Sequence, residues 1–239
     1  MIWPFTKRIS LLDSGFLRDT TDWHCHILPG VDDGIRTQED ALEVLSFYEE
    51  TGIREVWMTP HIMEDVPNTT DSLQEHFARF REVYSGPLVL HLAAENMIDT
   101  LFDRRFEAGD LLTLPLEGEA VLVETSYFNP PMGFRETLKS ISKRGLHPLL
   151  AHPERYVYMD RRDYESLKEQ GVKFQLNLMS LAGMYGRDAA AKAFRLLRDG
   201  MYDLAGSDIH RLAPWRRAIS EPVLAPKDLL ALEALKERM

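Results

Sequence analysis

Seven short apolar or β-rich runs alternate with helix-forming segments along the whole chain, and this alternation limits the fold more than any other feature. The runs are residues 22–26, 55–59, 88–94, 120–124, 148–151, 174–178 and 202–205. The clearest helical pattern covers 37–51, where Thr37 can N-cap, Ala41, Val44, Leu45 and Tyr48 form one stripe, and Gly52 stops it. Helices are expected too over 71–84, 133–144, 161–170, 187–199 and 226–238, several closed by a glycine such as Gly145, Gly171 or Gly200. Unbroken alternation calls for a parallel sheet with crossover helices, and seven units of about 30 residues suit a closed or nearly closed barrel better than an open sheet. The expected class is therefore α/β, a distorted (β/α)7 TIM-like barrel. One domain is expected over 1–239, with 1–21 as an N-terminal extension. Residues 211–226, with Pro214, Pro222 and Pro226, show no clear period and read as a surface loop before a last helix.

With 239 residues, 44% of them hydrophobic, the chain can bury a sizeable core. Its formal charge of −10 and the lack of a Lys/Arg-rich block argue against nucleic acid as a partner. The single cysteine, Cys25, can form neither an internal disulfide nor a Cys-type zinc site, which fits a reducing compartment. No signal-peptide core and no run of 18 apolar residues is present, so a cytoplasmic protein without an integral membrane segment is expected. Trp3 and Phe5 with Lys7 and Arg8 form a cluster that a short frayed terminus explains more simply than a membrane or partner contact.

Histidines and acids fall where the runs end. His24 and His26 end the first, His61 follows the second, and Glu95 the third; Glu124 closes the fourth, His152 the fifth, and Asp208 with His210 lies past the seventh. In a parallel barrel all strand C-termini open on one face, where active sites are built. Asp33, in the loop after the first run, makes nine donors around one mouth. Singly each has an ordinary explanation as a strand pair, a helix start or a turn cap. Their coincidence at successive strand ends does not. His76, His91 and His147 occupy no such place and read as structural. Imidazole mixed with carboxylate suits Mn, Fe or Zn better than Mg or Ca, and nine donors can serve two or three ions. Three divalent ions would outweigh the four carboxylates and draw an anion into an otherwise acidic protein. Such a cluster supplies a hydroxide nucleophile at neutral pH and clamps the oxygens of an in-line displacement, so phosphoester hydrolysis is the natural chemistry.

The segments His-Cys-His-Ile-Leu-Pro-Gly-Val-Asp-Asp-Gly (24–34), Thr-Pro-His (59–61), Ala-Ala-Glu (93–95), Leu-Val-Glu (122–124), Ala-His-Pro-Glu-Arg (151–155) and Gly-Ser-Asp-Ile-His (206–210) resemble the polymerase-and-histidinol-phosphatase (PHP) superfamily. Within it they resemble the bacterial protein-tyrosine phosphatases of the capsular and exopolysaccharide branch. The resemblance implies a distorted seven-stranded barrel, a manganese-preferring cluster, and removal of phosphate from tyrosines, notably on the tyrosine kinase that controls polysaccharide export. It gives metal-ligand roles to His24, His26, Asp33, His61, Glu95, Glu124, His152, Asp208 and His210, and makes Arg155 the arginine that holds the phosphate. Trp23, where a smaller residue is usual, and Asn96, where many relatives have Tyr, depart from the pattern and bear on substrate fit.

Cysteine-dependent tyrosine phosphatases place an arginine six residues after the nucleophile. Here the sixth residue after Cys25 is Val31, so the thiol route is closed and Cys25 is expected to pack on the opposite strand face. Tyr127, Phe128, Tyr156 and Met63, each close behind a donor, are expected to rim the pocket. Two other functions fit the same residues: a small-molecule phosphatase, acting for example on histidinol phosphate, and a non-catalytic regulator that binds the kinase.

Overall fold

A computed structural model describes residues 7–239, so Trp3 and Phe5 lie outside the described part. The strands are β1 (Thr21–Cys25), β2 (Glu55–Met58), β3 (His61–Ile62), β4 (Val89–Leu92), β5 (Glu95–Met97), β6 (Leu114–Pro115), β7 (Glu119–Glu124), β8 (His147–Ala151), β9 (Lys173–Asn177) and β10 (Leu204–Gly206). The helices are α1 (Leu11–Ser14), α2 (Gln38–Thr51), α3 (Thr70–Val83), α4 (Thr100–Ala108), α5 (Phe134–Lys143), α6 (Arg161–Glu169), α7 (Leu178–Leu181), α8 (Arg187–Arg198), α9 (Leu212–Ser220) and α10 (Pro226–Lys236), with one 3-10 turn at Pro153–Arg155.

All seven expected runs form strands, and two of them continue past the expected end as a second, short strand. Pro60 has no N–H to give the ladder, so β2 stops at Met58 and its line resumes as β3; β4 resumes as β5 after Ala93 and Ala94. Consequently β1, β2 and β4 form one parallel sheet, while β3, β5, β7, β8, β9 and β10 form a second, with β6 antiparallel to β7. Counting each broken strand once gives seven parallel staves in chain order. The circuit closes where Asp208 N donates to His24 O at 2.8 Å and His26 N to Ile209 O at 3.1 Å, bringing the exit of β10 against that of β1. The result is the distorted seven-stranded α/β barrel the alternation predicts.

Period-two placement then decides what points inward. Ala120, Leu122 and Glu124 share one face, as do Ala93 and Glu95; the apolar members fill the barrel with Leu149, Ala151 and Leu204, and the carboxylates lie above them at the mouth. Trp23 belongs to this interior layer and stacks on Trp57 at 6.0 Å. Asn96 is equally occupied, donating to Ala94 O and Leu122 O and accepting from Arg105. Both departures from the family pattern are thus absorbed by packing.

Residues 212–220 are helical, contrary to the loop expected there. Pro214 sits in the first turn of α9, where an amide has no intrahelical acceptor to lose, and Trp215, Ala218 and Ile219 bury one face. The three prolines hid this i, i+3, i+4 stripe.

Gly206 marks a close approach between β10 and β1: a Cβ there would lie 2.5 Å from His24 Cβ and 2.8 Å from its amide nitrogen. Gly206→Ala is expected to force β10 from β1 and cost about 1–3 kcal/mol. A thermal midpoint equal to that of the wild type would show that the two strands can separate freely.

Candidate metal centre

The nine donors read from strand ends converge at the barrel mouth. His24 Nε2 lies 3.1 Å from His26 Nε2, 3.2 Å from Glu95 Oε2 and 3.6 Å from Asp208 Oδ1. Glu95 Oε2 also lies 3.3 Å from His26 Nε2 and 3.1 Å from His61 Nδ1. His61 Nδ1 is 3.2 Å from Glu124 Oε1, and His152 Nε2 is 2.9 Å from Glu95 Oε1. His210 and Asp33 complete the outer rim: Asp33 Oδ1 is 3.4 Å from His210 Nε2 and 3.5 Å from His61 Nε2, with its side chain 73% exposed. Three overlapping groups have all their donor atoms within 4.8 Å of one another: His24, His26, Glu95 and Asp208; His61, Glu95 and Glu124; and His26, His61 and His210.

These distances fit divalent ions. Donors at about 2.1 Å from an ion are separated by about 3.0–3.4 Å along a coordination edge. His61 Nδ1 and Glu95 Oε2 are buried and 3.1 Å apart, yet neither has a hydrogen-bond partner, the arrangement expected of lone pairs aimed at a common point. Without ions the cluster balances its charge with protons. Burial opposes charge on His61, but Glu95 and Glu124 outweigh it and push its pKa up to about 10. Burial likewise opposes charge on His24, where Glu95 and Asp208 prevail and raise it. Burial would raise Asp208, but the surrounding histidines and Arg155 hold it well below the carboxylate range. Metal binding must therefore release protons.

Local backbone explains how two donors reach the mouth. His152 and Asp208 adopt left-handed conformations, φ 35° and 52°, at the exits of β8 and β10. Such strain costs on the order of 1–3 kcal/mol and clusters at functional sites. The two carboxylate oxygens of Asp208 serve different partners. Oδ1 faces His24, His26 and His210, while Oδ2 accepts from Asn177 Nδ2 at 2.6 Å and Arg155 Nη1 at 2.7 Å.

Several site residues escaped the sequence reading. Asp32, beside the chosen Asp33, is buried under the cluster; its Oδ2 lies 2.8 Å from His26 Nδ1 and accepts from His61 N at 3.0 Å. Gln175 Oε1 holds His24 Nδ1 at 2.9 Å. Asp22 accepts from Ser207 N and from the Tyr48 hydroxyl, both at 2.7 Å. The signal available for Asp32 was its place six residues after His26, which alternation along a strand cannot read. Cys25 behaves as expected: it is fully buried in the core, its thiol against Trp57 O.

Arg155 borders the cluster with its guanidinium between two rings, 4.3 Å from the Tyr127 centroid and 3.9 Å from that of Tyr185. It lines a pocket of about 420 Å3 with Asp33, His61, Tyr127, Met179 and Tyr185. Of the four expected rim residues only Tyr127 is there. Tyr156 is fully buried, with its hydroxyl accepting from Thr125 N; Phe128 is exposed, and Met63 pairs with Val66 away from the pocket.

Such a mouth, with buried imidazoles and carboxylates at the strand ends of a parallel barrel, defines a barrel protein with a candidate polynuclear metal centre. The family model for capsular polysaccharide synthesis, CpsB/CapC, matches residues 20–222, and the chain belongs to that family. It is 28% identical over 199 residues to the tyrosine-protein phosphatase YwqE of Bacillus subtilis, covering 80% of this chain and 77% of that protein. It is 25% identical over 204 residues to the tyrosine-protein phosphatase CpsB of Streptococcus pneumoniae, covering 80% and 83%. Its fold matches a crystal structure from the work on these two proteins, described as metal-dependent tyrosine phosphatases, with a TM-score of 0.74 at 23% identity over 92% of this chain and 95% of that one. Among the described residues no helix is long and apolar enough to cross a membrane.

Proposed function

We propose that this chain is a metal-dependent hydrolase of phosphotyrosine on protein, and that its substrate is a tyrosine kinase regulating capsular or exopolysaccharide synthesis and export. The observation that carries the reading is a buried imidazole–carboxylate cluster opening directly into a pocket walled by Arg155 and two tyrosine rings, in a chain whose relatives are named tyrosine-protein phosphatases. His24, His26, Asp33, His61, Glu95, Glu124, His152, Asp208 and His210 hold two or three divalent ions in this reading. Manganese is the metal proposed, with iron and zinc accepted by the same donor types. The ions supply an activated water at neutral pH and neutralise phosphoryl oxygens. Arg155 grips the phosphoryl group, Tyr127 and Tyr185 keep its guanidinium from swinging out, and Asp32 orients His26. Tyrosinate leaves readily, with an ordinary pKa of about 10, so charge stabilisation matters more than protonating the leaving oxygen.

Asp32→Ala is expected to weaken metal affinity by about 10–100-fold, because the partner that fixes a ligand imidazole is commonly worth that much. Titration of Mn2+ into metal-free protein reads it, and an unchanged affinity would remove Asp32 from the support of the site.

A substrate panel tests the function. p-Nitrophenyl phosphate, a phosphotyrosine peptide, a phosphoserine peptide and histidinol phosphate are compared with and without Mn2+. Phosphotyrosine is expected to exceed phosphoserine by more than about tenfold in kcat/KM, a discrimination within reach of pocket contacts. Equal rates would sink the specificity. Preference for histidinol phosphate would make the chain a small-molecule phosphomonoesterase, and binding of the kinase without any turnover would make it a regulator.

A further inference from the structure

The wall formed by Arg155 and Tyr185 has a second side. Both residues also line a groove of about 530 Å3 that runs along α8, with Val157, Arg187, Asp188, Lys192 and Arg195. Three cations elsewhere on α6 and α8 are tied to acids, Arg161 to Glu165, Lys168 to Asp203 and Arg198 to Asp228, while Arg162 on α6 stands exposed outside the groove. Arg187 and Arg195 are exposed and have no such partner among the described residues. Lys192 donates its ammonium to Tyr156 O at 2.6 Å and is thereby fixed at the groove wall.

Two acids lie in the lining. Glu154 is buried and committed, accepting from Asn177 N at 3.1 Å and from the Tyr202 hydroxyl at 2.9 Å, which leaves Asp188 as the exposed one. The groove is therefore cationic in a protein of net charge −10. On the other flank of the metal pocket a groove of about 340 Å3 sets Arg36 and Arg211 against Asp40 and Glu43, so its charge is balanced. Val157 adds a 63% exposed apolar edge to the cationic groove, and its amide donates to Tyr127 O at 2.9 Å, tying that edge to the pocket wall.

We infer that the groove between Arg155 and α8 docks the polypeptide flanking the phosphotyrosine and selects aspartate or glutamate side chains there. The inference rests on the phosphatase reading and names the sequence class of its substrate. Because the groove shares a wall with the phosphate pocket, the selected acids lie about two to four residues from the phosphotyrosine, or about 7–14 Å of extended chain. Ion pairs at exposed arginines are individually weak, so the pair is expected to change KM by about five- to tenfold and to leave kcat alone.

The test compares p-nitrophenyl phosphate with two phosphotyrosine peptides that carry either Glu or Gln at the second to fourth positions on both sides. With the metal-loaded full chain, the Glu peptide should show the lower KM, and the advantage should shrink at about 0.5 M NaCl through screening. The double variant Arg187→Glu/Arg195→Glu should erase that advantage while p-nitrophenyl phosphate and the Gln peptide stay within about twofold. Equal KM values for both peptides with the wild type, or a uniform loss on all three substrates in the variant, would overturn the inference. Non-hydrolysable phosphonate versions of both peptides, followed by fluorescence anisotropy, separate this failure from that of the phosphatase reading. Tighter binding of the Glu phosphonate that depends on Arg187 and Arg195, in a protein that turns nothing over, would keep the groove and discard the activity. Equal binding of the two phosphonates would discard the groove.

Discussion

Glu95→Gln is expected to lower turnover by at least about 10³-fold while the barrel stays folded. Glu95 is the hub of the centre: one oxygen lies within 3.3 Å of nitrogens on His24, His26 and His61, and the other lies 2.9 Å from His152. An amide of the same shape retains a carbonyl oxygen but loses the charge, and its NH2 points hydrogens at imidazole nitrogens that a metal needs as donors. The interior layer beneath, with Ala93, Leu122 and Leu149, is untouched, so circular dichroism should remain that of the wild type. His24→Ala, His152→Ala and Asp208→Ala should behave alike, since donors to a shared cluster act as a unit. Chelation should silence the wild type and Mn2+ restore it. Metal content measured beside kcat makes the result decisive. Wild-type turnover in Glu95→Gln at limiting metal, or after thorough chelation, would remove the metal route.

What the amino-acid order made legible was whatever local rules govern. Alternation placed His24 and His26 on one face, and strand-end position gathered Glu95, Glu124 and His152, because a parallel barrel points every strand end at one mouth. Nonlocal or loop-borne features stayed hidden. Met179 and Tyr185 reach the pocket from α7 and the loop after it, where no strand period applies, and Asp32 was indistinguishable from Asp33 within a loop. Tyr156 was misplaced for a similar reason. The 3-10 turn ends at Arg155 and Tyr156 is already extended, so proximity in sequence to Arg155 does not put Tyr156 on the same side. The short strands β3 and β5 were likewise invisible, since the apolar runs end at Thr59 and Ala94, before each of them begins.

Arg155→Ala is expected to lower kcat by about 10²–10³-fold, the usual worth of one preorganised electrostatic group near a developing charge. The arginine is held before substrate arrives: the Asp208 carboxylate takes Nη1 at 2.7 Å, the rings of Tyr127 and Tyr185 stack within 4.3 Å of the guanidinium carbon, and its side chain is only 13% exposed. Burial works against its charge, yet Asp208 foremost raises its pKa, so it stays cationic at every working pH. Metal content should survive the substitution. The Asp208 oxygen that faces His24 and His26 is the one Arg155 does not touch, and Asn177 at 2.6 Å still fixes the other. Arg155→Lys should recover only part of the loss, because an ammonium cannot hold Asp208 and a phosphoryl oxygen with the planar fork that lies between Tyr127 and Tyr185. Wild-type kcat in Arg155→Ala would take the arginine out of the chemistry. A fall in bound metal matching the fall in kcat would assign it instead to positioning Asp208.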